Sequence, residues 1–364
     1  MRYSKVVLEA IAYELAPDVV TSEELEERLA GVYRQLGIQA GQLALITGIL
    51  ERRFWEPGYS MARGAALAAR GALAMSAVPS ERLGALIYGG VCRDHFEPAT
   101  ACHVAASLRD DGLPVGSNAM IYDVGNACLG VVNGMLDIAD RIELGQIKAG
   151  IVVTCETARE IVDTSIARLR RQPSMKLFAE TIATLTGGSA AVAVVLSDGS
   201  FGAADRPPLP RLRGRVLQSA PEHHQLCRWG VERMDADHDI ESDADTPYRQ
   251  FAITDSPAVL EHGLNLGART WTSFLREMDW RVEQIDRIVC HQVGASHRKA
   301  MLKRLGIAHE RDFVAYDYLG NTGTAALPVA TALAWERGFL VPGQRVGLLG
   351  IGSGLSCVML GIDW

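Results

Sequence analysis

The sequence predicts an α/β fold built from two halves. Short apolar runs with the composition of buried strands alternate with longer segments in which apolar side chains recur every three or four residues, an alternation typical of α/β proteins. The 364 residues, 48% of them hydrophobic, suffice for two domains or two fused halves. The Pro-rich segment 198–214 is the clearest linker, so we expect an N-terminal half at 1–200 and a C-terminal half at 201–364.

Nine apolar runs are predicted to be buried strands, because they are short, apolar and flanked by glycine or polar turn residues. They are ALIYGG (85–90), MIYDV (120–124), GIVVTCE (150–156), AAVAVVL (190–196), RVLQSA (215–220), RIVCHQ (287–292), FVAYDYL (313–319), RVGLLGIG (345–352) and CVMLGIDW (357–364).

Local signals mark the ends of several helices. In TSEELEERL, Glu24 follows Thr21 by three residues, which predicts a capping box and a helix start. Glycine ends the other predicted helices, because it accepts the left-handed backbone of a C-cap. These glycines are Gly145, Gly306 and Gly338.

Charge and hydropathy argue against several classes of protein. A net charge of -7 and a pI near 5.8 disfavour a general nucleic-acid surface, because neutralising phosphates requires a basic face. A local arginine cluster can still bind an anionic, nucleotide-tailed ligand. No uninterrupted apolar stretch reaches the roughly 18 residues of a membrane span, and residues 1–15 carry charges without a cleavage site, so we expect neither a span nor a signal peptide.

Cysteine usage predicts a reduced, cytoplasmic protein. The seven cysteines are an odd number and include no CxxC pair, so we expect neither disulfides nor a zinc site. The acidic segment 234–245, MDADHDIESDAD, lacks the ligand spacing and turn glycine of a calcium loop. We expect it to be a solvated surface loop.

Cys128 lies where the predicted strand 120–124 gives way to the helix that Gly145 ends. We expect it in the first turn of that helix, on the inward face, where unpaired N–H groups and the helix dipole stabilise a thiolate. A free cysteine among apolar neighbours is more often an inert core residue. Its position alone therefore fits either a nucleophile or a packing residue.

Two further polar residues follow predicted strands. His291 ends one strand, and Asn321 lies in a glycine-flanked turn after another. Each alone is more often structural, as a hydrogen-bonded packing histidine or as an asparagine suited to a turn. Reacting groups gather beyond the carboxyl ends of strands, and a soft nucleophile, a proton-transfer group and an amide donor together suit acyl transfer through a thioester. The glycine-rich segment 350–356 can add backbone N–H groups for an oxyanion.

The segments around these residues resemble a known family. NACLG at Cys128, CHQVG at His291 and LGNTGTAALP at Asn321 are similar to the Cys–His–Asn signatures of thiolase-fold condensing enzymes. TGILERRFW (47–55) resembles an early segment of 3-oxoacyl-acyl-carrier-protein synthase III. Within that group the chain resembles OleA-type enzymes, which condense two fatty acyl-CoA molecules head to head in bacterial olefin biosynthesis. The motifs match in order and spacing across essentially the whole chain.

The resemblance implies a thiolase fold, with two pseudo-repeated βαβαβαββ-type halves forming a five-layered αβαβα core. Cys128 would then be the nucleophile, and His291 and Asn321 would polarise the carbonyl of the second acyl thioester. Glu97, within CRDHFEPATA, matches the glutamate that such enzymes insert into the partner subunit's active site as a base. That arrangement implies a homodimer, with a heterodimer of homologues as the alternative.

Further roles follow from the same resemblance. The backbone N–H groups of Cys128 and Ser353 would hold the oxyanion. Arg52 and Arg53 would bind the phosphates of CoA, although solvated surface arginines are an equally good explanation. We expect no cofactor, the substrate being acyl-CoA or an acyl-carrier protein. Segments 108–120 and 234–245 look longer than the corresponding segments of the family that the chain resembles. The resemblance therefore predicts the fold and the nucleophile more firmly than the substrate.

Three alternative functions remain open from the sequence. The first is a decarboxylating synthase III or pyrone-forming ketosynthase, which uses malonyl or carrier-bound β-keto thioesters and needs no base such as Glu97. The second is a non-catalytic partner subunit of a condensing heterodimer. The third is acyl transfer to a hydroxyl or an amine without formation of a C–C bond.

Overall fold

The computed structural model describes residues 1–203, 205–233 and 248–364. The acidic segment 234–245, expected to be a surface loop, lies outside the described residues. The strands of the described residues are β1 (Val7–Leu15), β2 (Asp18–Thr21), β3 (Glu51–Phe54), β4 (Ala85–Gly89), β5 (Met120–Val124), β6 (Ala149–Glu156), β7 (Ala190–Ser197), β8 (Arg211–Ser219), β9 (Cys227–Arg233), β10 (Tyr248–Thr254), β11 (Arg287–Cys290), β12 (Arg345–Gly352) and β13 (Ser356–Asp363). The α-helices are α1 (Ser22–Arg28), α2 (Ala30–Leu36), α3 (Gln42–Thr47), α4 (Met61–Met75), α5 (Thr100–Asp110), α6 (Gly130–Glu143), α7 (Arg159–Arg171), α8 (Met175–Thr181), α9 (Ser256–Met278), α10 (Ala295–Leu305), α11 (Tyr316–Leu319) and α12 (Ala326–Glu336).

Nine strands form one mixed sheet in the order β11–β12–β13–β8–β1–β7–β6–β4–β5. Strands from before the predicted linker occupy one end, and strands from after it occupy the other. The two sets meet at β1 and β8, through the pairing of Val7 with Arg211. The domain division at residue 200 stays a prediction.

The helices lie in three layers around these strands. Helices α4 and α5 share one hydrophobic cluster with the first set of strands, and α9 and α10 share another with the second set. Between them, α6 and α12 contribute to a cluster that contains residues of both sets, such as Val194 and Leu348. The two sets of strands in the sheet thus form two separate layers, and the order of helices, first set, helices, second set and helices is the predicted five-layered core.

The strand order also repeats between the halves. The run β1–β7–β6–β4 corresponds to β8–β13–β12–β11, and in both runs the last two strands pair in parallel. β5 is a full strand, whereas its counterpart is a single bridge between Ile288 and Asp312. The prediction of a strand at 313–319 is therefore wrong, because most of this run forms α11.

The other eight predicted strands are confirmed, with small shifts at their ends. Strand β1 was not predicted, because Glu9 and Glu14 interrupt its apolar run. Glu9 is nevertheless buried, and its carboxylate accepts hydrogen bonds from Ser197 Oγ and from Arg206 Nη1, each at 2.5 Å. A charged residue can occupy this central strand because it has these partners.

The predicted capping box is also confirmed. Thr21 Oγ1 accepts from the Glu24 amide at 3.1 Å, and Glu24 Oε2 accepts from the Thr21 amide at 2.6 Å. Gly306 caps α10 with a left-handed backbone, as expected. All seven cysteines are unpaired thiols. Among the described helices, none has the length and apolar character needed to cross a membrane.

Candidate active site

Cys128 lies in a tight turn between β5 and α6. Ala127 has a φ of +44°, in the left-handed region, and the helix begins at Gly130. Strand β4 and helix α6 pack very closely beside this turn: a methyl group on Gly89 would lie 2.5 Å from the carbonyl carbon of Gly130. Glycine at this contact therefore lets α6 start directly over β4 and fixes the turn that carries Cys128.

The Cys128 thiol is protonated in the free protein at neutral pH. Burial is the main cause that raises the pKa of Cys128 to about 12, and Cys227 and the Glu156 carboxylate add to the rise. The expected placement of Cys128 in the first turn of the helix is wrong, since it precedes α6 by two residues. Loss of hydration therefore outweighs any benefit from the helix dipole.

The turn between β12 and β13 lies against the Cys128 backbone. A methyl group on Gly352, the last residue of β12, would lie 3.5 Å from the Cys128 amide nitrogen and 3.1 Å from Leu129 Cγ. Ser353 follows Gly352 directly in this turn. The structure thus brings the Ser353 segment to the Cys128 amide, while the role of Ser353 as an oxyanion donor stays a prediction.

His291 follows the last residue of β11, and its amide donates to Leu349 O of β12 at 2.9 Å. The residue is 7% exposed. Burial, with a smaller contribution from His297, lowers the pKa of His291 to about 3. The imidazole is therefore neutral at physiological pH, with one ring N–H to donate and one ring nitrogen to accept.

Gln292 connects the His291 segment to the chain that leads to Asn321. Its Nε2 donates to Cys290 O at 2.7 Å, and its Oε1 accepts from the Ala315 amide at 3.0 Å. The side chain is buried, so these bonds form in a region of low dielectric constant, where they are strong. Gln292 consequently fixes the distance between the end of β11 and the segment before Asn321.

Asn321 is held by its backbone and oriented by its side chain. Its amide donates to Thr186 O at 2.9 Å, and its carbonyl accepts from the Gly188 amide at 2.9 Å. Its Oδ1 accepts from the Gly323 amide at 3.1 Å. Within the described part of the chain, Nδ2 has no protein acceptor and is therefore available to a ligand as a donor.

One hydrogen bond joins the Cys128 helix to the Asn321 turn. The Val131 amide, in the first turn of α6, donates to Thr324 Oγ1 at 2.8 Å, and both residues are fully buried. Cys128 and Asn321 each precede this bond by three residues. The structure thus links the turn that carries Cys128 to the turn that carries Asn321, and Gln292 links the His291 segment to the chain that leads to Asn321.

Glu156, the last residue of β6, is a buried acid that the sequence analysis did not single out. Its Oε1 accepts from the Val91 amide at 2.8 Å, and a methyl group on Gly323 would lie 3.6 Å from its Oε2. Burial raises the pKa of Glu156 to about 7. The signal in the sequence was a glutamate that ends the apolar run GIVVTCE, at a strand end like those of the other site residues.

Glu97 lies on the exposed loop between β4 and α5. Asp94 accepts hydrogen bonds from the first turn of α4, and Asp123 accepts them from the first turn of α5, so both ends of the loop are anchored. Residues 95–98, between these anchors, are exposed in the single chain. The role of Glu97 as a base stays a prediction.

Arg52 does not lie where a CoA phosphate could reach it. It is fully buried, its Nη2 donates to Ser22 Oγ at 3.0 Å, and burial lowers its pKa to about 10. The expected contact of Arg52 with CoA is therefore inconsistent with the structure, in which this arginine ties β3 to the start of α1. Arg53 is half-buried and donates to Ala16 O at 3.4 Å, and its contact with CoA stays a prediction.

Among the described residues, no group of three or more His, Cys, Asp or Glu side chains is arranged to hold a metal ion. The fold and the linked segments that carry Cys128, His291 and Asn321 are those of a thiolase-fold condensing enzyme. A profile of the 3-oxoacyl-[acyl-carrier-protein (ACP)] synthase III C-terminal family matches residues 275–364. Over its full length the chain is 51% identical to an acyl-CoA:acyl-CoA alkyltransferase of Shewanella oneidensis and 34% identical to one of Xanthomonas campestris, covering 100% of each relative. The chain belongs to this family of acyl-CoA:acyl-CoA alkyltransferases.

Solved structures agree with this assignment. All of the chain and 98% of Xanthomonas campestris OleA superpose with a TM-score of 0.88 at 33% identity. The same share of this chain and 100% of a 3-oxoacyl-(acyl carrier protein) synthase III, FabH, from Xanthomonas oryzae superpose with a TM-score of 0.87, also at 33% identity. Both superpositions include the N-terminal half, which carries Cys128.

Proposed function

We propose that this protein joins two fatty acyl-CoA molecules by a Claisen condensation that involves no decarboxylation. The observation that carries the proposal is the hydrogen-bonded linkage of the segments with Cys128, His291 and Asn321 in a chain 51% identical over its full length to an acyl-CoA:acyl-CoA alkyltransferase. The relative's activity supports the substrate class. The half-buried cysteine and the neutral donors support the chemistry.

In the first stage, Cys128 takes an acyl group from acyl-CoA. The Cys128 sulfur forms a bond to the thioester carbonyl carbon, the bond from that carbon to the CoA sulfur breaks, and the thiol proton leaves with CoA. The backbone N–H groups of Cys128 and Ser353 hold the oxyanion of the tetrahedral intermediate. The close packing of Gly352 against the Cys128 amide supports this arrangement.

In the second stage, another acyl-CoA places its carbonyl oxygen between His291 and Asn321. Neutral N–H donors suit an enolate oxygen, because their bonds strengthen as negative charge develops on it. The low pKa of His291 keeps its ring uncharged, and the free Nδ2 of Asn321 supplies the second donor.

Glu97 of the partner subunit removes the α-proton of the second acyl-CoA. The loop that carries Glu97 is exposed in the single chain, and the neighbouring Phe96 is 96% exposed. An exposed apolar side chain of this kind is what a second subunit would cover. The proposal therefore includes a homodimer in which each loop completes the other subunit's site.

The enolate carbon then attacks the Cys128 thioester, which forms the new C–C bond and releases the cysteine. Water hydrolyses the thioester of the condensed product and gives a 2-alkyl-3-keto acid and CoA. Action in the cytoplasm is part of the proposal and is supported by the seven unpaired thiols.

A decarboxylating condensation of a malonyl thioester is the principal alternative. The match of residues 275–364 to the synthase III family and the TM-score of 0.87 to a synthase III structure favour it. The two reactions differ in how the carbanion forms, since decarboxylation requires no base. Glu97 therefore distinguishes them.

The test compares Glu97→Gln with Glu81→Gln, an exposed glutamate elsewhere on the chain. Both variants should take up an acyl group on Cys128, detected by mass spectrometry. The first should lose condensation of myristoyl-CoA, and the second should retain it. Full condensation by Glu97→Gln would refute the role of this base, and absence of acylation at Cys128 in the wild type would favour a non-catalytic subunit.

A further inference from the structure

A small cavity adjoins His291 between strands β11 to β13 and helices α9 and α10. Its volume is about 20 Å³. Its polar lining comes from His291, His297, Arg298 and the thiols of Cys290 and Cys357, and the rest is glycine and apolar side chains. A buried water requires roughly 10–15 Å³ and at least two polar partners. The cavity therefore has the size and the lining for one water molecule.

One nitrogen of the His291 ring needs such a partner. Nδ1 is fully buried and has no hydrogen bond to any described residue. A neutral imidazole has one N–H donor and one acceptor nitrogen. If Nε2 donates to the thioester carbonyl, as the proposed function requires, then Nδ1 must accept, and a buried acceptor needs a donor.

His297 and His291 line the same cavity, His297 from the first half of α10. Burial lowers the pKa of His297 to about 4, so its ring is also neutral near pH 7 and carries one N–H. The neighbouring Arg298 is already committed, because its Nε donates to Asp312 at 2.6 Å and its Nη2 to His309 O at 2.7 Å. His297 is therefore the side chain that can hold a water beside His291.

We propose that His297 is a positioning residue that holds one water in this cavity, and that this water donates a hydrogen bond to His291 Nδ1. The water accepts from the His297 N–H. The bond to Nδ1 keeps the His291 proton on Nε2, where it meets the substrate oxygen. The opposite tautomer would present a lone pair to that oxygen and repel the enolate. This inference rests on the proposed function, since it explains how His291 acts as a donor in the second stage.

The test uses the full-length protein with myristoyl-CoA and three variants. His297→Leu removes the polar group at similar size, His297→Asn restores an N–H donor, and Met301→Leu alters an apolar residue of the same cavity as a matched control. Acylation of Cys128 is followed by mass spectrometry, condensation by kcat, and the His291 tautomer by ¹⁵N NMR of the ring nitrogens.

We expect His297→Leu to acylate normally, to lose condensation kcat by at least about tenfold, as when a positioned donor is disturbed, and to show a mixture of His291 tautomers. His297→Asn should recover most of both properties, and Met301→Leu should keep them. An unchanged tautomer and kcat in His297→Leu would overturn the inference, as would an equal loss in Met301→Leu. A wild type that acylates but forms no condensation product would refute the proposed function instead, and the tautomer measurement would still decide the role of His297.

Discussion

The Val131 amide donates to Thr324 Oγ1 at 2.8 Å across 193 residues of sequence, and both partners are fully buried. This bond sets the distance between the helix that follows Cys128 and the turn that carries Asn321. The turns that carry Cys128 and Asn321 are thus held in place before any substrate binds. Such preorganisation favours a reaction in which two bound acyl groups must meet in one geometry.

Thr324→Val tests this hydrogen bond with almost no change in the size of the side chain. Valine has nearly the same size as threonine but leaves the Val131 N–H buried without an acceptor, which costs about 1–3 kcal/mol. We expect urea unfolding to report that loss and condensation kcat to fall, while Thr324→Ser retains both. Wild-type stability and turnover in Thr324→Val would contradict the importance of this bond.

Glu156→Gln should make the Cys128 thiol more reactive. The Glu156 carboxylate is one of the groups that raise the pKa of Cys128, so an uncharged amide lowers it. Because the pKa of Glu156 is about 7, the effect should be largest above that pH, where the carboxylate is charged. We expect alkylation of Cys128 by iodoacetamide at pH 8 to accelerate roughly three- to tenfold, equivalent to half to one pKa unit.

The pH profile of the alkylation rate provides the check on this prediction. Its midpoint should lie lower in Glu156→Gln than in the wild type, and Cys128→Ala identifies alkylation at the other six cysteines. A midpoint that does not move would show that Glu156 is electrically remote from the thiol.

Acid should destabilise the fold through His291 and His297. Their pKa values, about 3 for His291 and about 4 for His297, lie below the usual 6.5, so the unfolded chain binds protons that the folded chain does not. Their stabilising contribution is present above pH 6.5 and is lost as the pH falls toward 4, at up to about 1.4 kcal/mol per pH unit for each histidine.

The raised pKa of Glu156 changes the free energy of unfolding with pH in the opposite direction. Its contribution is present below its usual pKa of 4.5 and is lost as the pH rises through about 7. Urea unfolding between pH 4.5 and 7 should therefore show a steeper acid dependence in Glu156→Gln than in the wild type, and a shallower one in His297→Leu. The reverse order would contradict the assigned protonation states.

Strand ends could be predicted from the sequence, and with them most of the candidate site. Cys128, His291 and Asn321 were found because a polar residue after an apolar run is conspicuous and because the segments around them resemble one family. Glu156 has the same position at a strand end but was passed over, since nothing in its local sequence distinguishes a buried glutamate from an exposed one.

The predictions that are wrong concern segments whose structure depends on contacts with distant parts of the chain. Arg52 looked available to a phosphate, but it is buried because Ser22 and main-chain carbonyls from separate segments surround it. The run 313–319 has a strand-like composition, but Gln292 binds the Ala315 amide and the chain turns into α11. The bond between Val131 and Thr324 likewise leaves no trace in either local sequence.

The most direct test of the central claim is incubation of the purified protein with myristoyl-CoA alone, followed by mass spectrometry of the products. The account predicts a 3-keto acid that contains both acyl chains, or the symmetrical ketone formed when that acid loses CO₂. The same product should be absent with Cys128→Ala. A product that forms only when malonyl-CoA is added would contradict condensation without decarboxylation.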